Sequence, residues 1–100
     1  DASEVNLQDI SKKYGVSTSK LMKWNELSSQ TLKEGQILFL EKKNSSGSVE
    51  TYRAEKGDNT YSIAQKFAIR LDKLYDKNRM EYGDKVKEGQ LIYLKNRKPR

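Results

Sequence analysis

The sequence predicts an α+β fold of two βααβ units, each with two helices packed on a two-stranded antiparallel sheet, the first lacking a normal first strand. Three observations predict it. First, one block is written twice. Ile10, Ser11, Lys12, Lys13, Tyr14, Gly15 and Val16 return as Ile63, Ala64, Gln65, Lys66, Phe67, Ala68 and Ile69, and Leu21 and Asn25 return as Leu74 and Asn78, all at an offset of 53. Leu32, Lys33, Glu34, Gly35, Gln36 and Leu40 return as Val86, Lys87, Glu88, Gly89, Gln90 and Leu94 at an offset of 54, so one residue is inserted between Asn78 and Val86. Second, each copy holds two stretches with apolar residues at helical spacing. Third, each copy ends on an apolar run, 37–40 and 91–94, too short for a helix. Self-similarity of this period means two copies of one small unit, which favours recognition in tandem over chemistry at a single cleft.

In the first copy, Asn6 is an N-cap with Asp9 three residues on, a favourable first-turn charge. Leu7, Ile10 and Tyr14 follow on one helical face, and Gly15 stops the helix as a C′ residue. Ser17 caps a second helix carrying Leu21, Met22 and Trp24. Residues 32–35 read as a turn, and 37–40 as a strand. In the second copy, Tyr52 and Ala54 alternate with Arg53 and Glu55 as a half-buried strand. Gly57 and Asp58 turn the chain into a helix holding Tyr61, Ile63, Ala64 and Phe67. A second helix carries Leu71, Leu74 and Tyr75, and residues 91–94 close the unit as a strand. Strands at the two ends of a unit pair most simply as an antiparallel ribbon, with both helices on one face.

The expected organisation is a first repeat over 1–43, a linker over 44–49, a second repeat over 50–95 and a basic tail over 96–100. The linker reading rests on Asn44, Ser45, Ser46, Gly47 and Ser48. A hairpin turn is the competing reading of that segment. The net charge of +6 is misleading. Seven basic residues face six acidic ones over 1–43, and nine face eight over 50–94; the excess is Lys95, Arg97, Lys98 and Arg100. Nearly neutral repeats argue against nucleic acid as a partner. With no His and no Cys, a Cys–His or Ser–His pair, an ordinary zinc site and a disulfide are all excluded. No metal and no cofactor is expected. The acidic residues lie in turns and on exposed helix faces, which argues against a catalytic carboxylate pair. No apolar run approaches the ~18 residues of a membrane span. The start at Asp1, with no signal peptide in view, suggests a monomeric piece of a longer protein.

Gly57, Asp58, Asn59, Thr60, Tyr61, Ser62, Ile63 and Ala64, then Asn78, then Glu88, Gly89, Gln90, Leu91 and Ile92 resemble the LysM domain. Repeat one is similar from Ile10 to Leu40. The pair also resembles tandem LysM tails on bacterial cell-wall glucosaminidases. The resemblance implies a βααβ fold, no catalysis by the module, an extracytoplasmic location, and binding of N-acetylglucosamine-containing glycans such as peptidoglycan or chitin. It implies a groove with Gly57, Asp58, Asn59, Thr60 and Tyr61 on one wall and Asn78, Arg79 and Met80 on the other. The equivalents in repeat one are Asn6, Leu7, Asn25, Glu26 and Leu27. Two departures stand out. Glu4 and Val5 occupy the places of Gly57 and Asp58, with only residues 1–3 upstream for a first strand. In repeat two, Asn59 and Thr60 replace the usual Thr and apolar residue.

Such loops suit an acetamido sugar. Its N–H and C=O need backbone partners, since each left buried and unpaired costs about 1–3 kcal/mol. Its methyl needs a small apolar floor, which Met80, Tyr61 and Leu27 supply. Each residue also has a plainer role. Asn25 and Asn78 suit bonding of local backbone, Asp58 suits a turn or cap, and Trp24 suits core or platform equally. Glu34 and Glu88 suit solvated turns. A protein-interaction scaffold on the same fold is the remaining alternative.

Overall fold

The computed structural model describes residues 4–33 and 35–100; Glu34, read above as a turn residue, lies outside them, as do residues 1–3. The chain divides into two compact units, Asp1–Lys43 and Asn44–Arg100. The first holds β1 (Glu4–Asn6), α1 (Leu7–Tyr14), α2 (Thr18–Trp24) and β2 (Thr31–Lys33). The second holds β3 (Thr51–Arg53), α3 (Thr60–Phe67), α4 (Leu71–Lys77) and β4 (Leu91–Tyr93). Each unit is therefore βααβ, an α+β arrangement.

The helices begin and end where side chains and backbone geometry allow. The Gln8 N–H donates to Asn6 Oδ1 at 2.8 Å, and the Lys20 N–H to Ser17 Oγ at 3.2 Å. In α3 the cap is reciprocal: Ser62 N–H donates to Asn59 Oδ1 at 2.7 Å and Asn59 N–H to Ser62 Oγ at 3.0 Å. α1 ends on Gly15 in the left-handed conformation at φ 70°, and α3 ends the same way on Ala68 at φ 57°.

The strands of the second unit lie as expected, with Thr51 opposite Tyr93, Tyr52 opposite Ile92 and Arg53 opposite Leu91. Those of the first unit do not. β1 pairs with β2, placing Glu4 opposite Lys33 and Asn6 opposite Thr31. The sequence reading made 32–35 a turn and 37–40 the strand. The ladder instead forms over Thr31–Lys33, and the turn follows it: the Gln36 N–H donates to Lys33 O at 3.1 Å, and Lys33 N–H to Gln36 Oε1 at 3.2 Å. The physical reason is the partner. β4 is a strand because β3 lies beside it, and among the described residues no strand pairs with 38–40.

Residues 44–49 are not a free linker. Asn44 N–H donates to Ala68 O at 2.8 Å, Arg70 N–H donates to Asn44 O at 2.9 Å, and Gly47 N–H donates to Leu94 O at 2.7 Å. Gly47 is buried, and a Cβ there would lie 3.1 Å from both Ile69 and Leu94 side chains, so only glycine fits without displacement. The basic tail is also held. Lys98 N–H donates to Lys77 O at 2.6 Å, and the Arg97 guanidinium lies 3.4 Å from Asp76. Cations there meet the carbonyl end of α4, where the helix dipole favours them.

The second unit has the larger core: Ala54, Ile63, Ala64, Ile69, Leu74, Ile92 and Leu94. The first is centred on Leu7, Leu21 and Leu32, with Ile10, Val16, Met22, Leu27, Leu38 and Leu40 packed against them. Among the described residues no helix is long and apolar enough to cross a membrane.

Candidate functional site

The first wall of the expected groove is built on a turn. Gly57 takes φ 89°, a left-handed conformation that suits glycine, and the Asp58 N–H donates to Glu55 O at 3.0 Å. The Asp58 carboxylate is fully engaged: it accepts from Tyr52 Oη at 2.6 Å, Glu55 N–H at 2.9 Å and Ser62 Oγ at 2.8 Å. Burial raises its pKa, but these three donors and the nearby Lys66 cation outweigh burial and hold it below the ordinary value. Accepting a hydrogen bond from Tyr52, with some burial and the adjacent negative charge, pushes the tyrosine up to about 12. Asp58 thus clamps strand, turn and helix together. Asn59 is the helix cap, and Tyr61 is half-buried.

The second wall follows α4. Asn78 is buried, and its amide bonds on every side. Its Nδ2 donates to Leu74 O and Tyr93 O, both at 2.9 Å, and its Oδ1 accepts from Tyr93 N–H at 2.7 Å. Arg79 takes φ 53° and donates from Nε to Lys98 O at 2.7 Å. Met80 is half-buried, its N–H donating to Tyr75 O at 3.0 Å.

Tyr75 joins the walls. Its hydroxyl lies 3.0 Å from Thr60 Oγ1, and Thr60 is buried by the contact. Its ring stacks on Tyr82, with centroids 5.6 Å apart and planes at 20°. Tyr82 is 84% exposed and sits in a closed turn, where Asp84 N–H donates to Glu81 O at 3.0 Å and Glu81 N–H to Asp84 Oδ2 at 2.9 Å. The sequence places Tyr75 on the second helix of the repeat but assigns neither tyrosine to the site. A signal was present: Tyr82 lies in the stretch holding the inserted residue, and at an offset of 53 the counterpart of Tyr75 is Met22.

The structure corrects the roles assigned to three residues. Leu7 and Asn25 are fully buried, and Asn78 is nearly so, which leaves them no surface to offer a ligand. Asn25 repeats the work of Asn78: it donates to Leu21 O at 2.9 Å and Phe39 O at 2.8 Å, and accepts from Phe39 N–H at 2.7 Å. Asn6 is the α1 cap, Leu27 is half-buried with its N–H on Met22 O at 2.9 Å, and Glu26 forms an ion pair with the buried Lys43. The first unit therefore presents a different surface at the equivalent place.

Comparison with known proteins gives the context of this architecture. The chain is 33% identical over 101 residues to the membrane-bound lytic murein transglycosylase D of Escherichia coli, covering 90% of this chain and 21% of that protein. It is 31% identical over 96 residues to the probable peptidoglycan endopeptidase LytE of Bacillus subtilis, covering 89% of this chain and 28% of that protein. The crystal structure of the Bacillus cereus spore cortex-lytic enzyme SleL aligns with 97% of this chain and 23% of its own, at 25% identity and a TM-score of 0.44. The family model for the LysM domain matches residues 6–40 and 52–95, one match on each repeat. Both copies of the duplicated block fall within those matches, and the chain belongs to the LysM domain family.

Proposed function

We propose that the chain is a non-catalytic carbohydrate-binding module that recognises N-acetylglucosamine-containing glycan, peptidoglycan or chitin-like, and anchors an attached cell-wall hydrolase outside the cytoplasm. The relatives named for murein and peptidoglycan chemistry support it; the chain spans 21% and 28% of their length. The observation that carries the site is the Thr60–Tyr75 hydrogen bond. It ties the 57–61 wall to the 78–80 wall and leaves the face of Tyr82 open beside them. Backbone groups of the two loops then serve the acetamido group, Met80 and Tyr61 meet the methyl, and the Tyr82 ring meets a sugar face. Gly57, Asp58, Asn59, Thr60, Asn78 and Arg79 hold the two loops in this geometry.

The test is titration of the chain with N-acetylglucosamine oligomers, followed by amide chemical shifts. Saturable shifts are expected at Asn59, Tyr61, Met80 and Tyr82. Tyr82→Ala is expected to weaken binding about tenfold, the equivalent of ~1.4 kcal/mol. No shift at these positions with millimolar ligand would discard the reading.

A further inference from the structure

Two residues with a Cβ hold a left-handed turn at matched places, each just after the buried asparagine that ends a helix. They are Glu26 at φ 47°, after Asn25, and Arg79 at φ 53°, after Asn78. Glycine takes that conformation more easily, so what these side chains hold is informative. Each is tied to the segment that follows the closing apolar run of its own unit. Glu26 forms an ion pair with Lys43, whose side chain is fully buried. At an offset of 54 the counterpart of Lys43 is Arg97, which sets a cation opposite the cation Arg79 and rules out the same pair. The second unit keeps the tie with other partners. Arg79 Nε donates to Lys98 O at 2.7 Å, the only bond of its side chain among the described residues. Lys98 N–H donates to Lys77 O at 2.6 Å. Arg97 lies on Asp76 instead, 3.4 Å from the carboxylate and with Nε 3.3 Å from the carbonyl. The same tie made with two chemistries points to a shared task. Lys98 is bonded through both its N–H and its C=O, so it hooks the end of α4 to the turn at Arg79. That turn sets Met80, whose N–H returns to Tyr75 O at 3.0 Å.

We propose that Lys98 is a positioning residue for the glycan groove: through Arg79 it fixes the loop that carries Met80 in its ligand-ready place. The proposal rests on the glycan reading. A loop ordered before the ligand arrives spares the entropy of ordering it afterwards. The tail acts here through its backbone rather than its charge.

The experiment titrates N-acetylglucosamine oligomers into the whole chain and its variants, with heteronuclear NOEs at the Arg79 and Met80 amides recorded before ligand is added. Lys98→Pro removes the N–H bonded to Lys77 O and leaves Arg79 in place. It is expected to loosen both amides and to weaken binding about fivefold, with the Tyr52 and Tyr75 ring signals unmoved as the sign of an intact fold. Arg79→Gly is expected to do the same although glycine suits the turn, and Arg79→Lys, which keeps a donor, to restore binding. The proposal is overturned if Arg79→Gly binds as the unchanged chain does, since position 79 then has only a conformational part. It is also overturned if Arg79→Gly weakens binding and Lys98→Pro does not, since Arg79 is then a direct ligand contact. An unchanged chain with no oligomer shifts overturns the glycan reading and this proposal together. An unchanged chain that binds, with both variants binding equally, overturns this proposal alone.

Discussion

Asn25 and Asn78 do the same job 53 residues apart, and the job needs an amide. Each must donate to its own helix and to the facing segment while accepting from that segment's N–H. Asn78→Asp removes the donor and buries a charge, and is expected to destabilise the second unit by about 2–4 kcal/mol in urea unfolding monitored by tyrosine signals. The constant spacing of the two asparagines was legible as a shared role. Whether that role faced ligand or backbone was not, because the same donor and acceptor serve either. Asp58 gives a pH signature. Its folded pKa lies below the ordinary 3.8, so its stabilisation is complete above that value and is lost as pH falls through the folded one. Asp58→Asn is expected to flatten the acid limb of a stability–pH curve below about pH 4, while lowering stability at neutral pH by about 1–2 kcal/mol.

At the scale of the element, the helices of the first unit were readable because their ends are written in side chains, Asn6 and Ser17 at the starts and Gly15 at a stop, whereas the Asn59 cap of α3 was not singled out and α4 starts at Arg70 with no side-chain cap. Ala68, like Glu26 and Arg79, holds a left-handed turn in a residue with a Cβ. Ala68→Gly is expected to raise the thermal midpoint of the second unit, a gain of about 0.5–1 kcal/mol. Strands were less legible. Three residues carry no periodicity, and pairing is decided by what lies alongside. Thr31–Lys33 therefore formed the ladder where 37–40 had the more strand-like composition. The candidate site suffered from the same blindness. The two loops were implied by the resemblance, but the Tyr75–Tyr82 stack is a tertiary contact.

Across the whole molecule the duplication was the most legible feature, and the difference between the copies the least. Seven buried apolar residues form the second core, against three in the first among the described residues. Leu21→Ala, in that small core, is expected to cost about 2–5 kcal/mol and to melt the first unit in a separate early transition reported by Trp24 fluorescence. Polar composition marked 44–49 as a tether, since backbone hydrogen bonds leave no trace in composition. Yet Asn44 and Gly47 lie against Ile69 and Leu94. It follows that anyone excising the second repeat at its apparent homology boundary, near Tyr52, would peel a lid from its interior. A cut made ahead of Asn44 preserves that lid, and the longer piece is the one expected to express as a well-behaved, protease-resistant module.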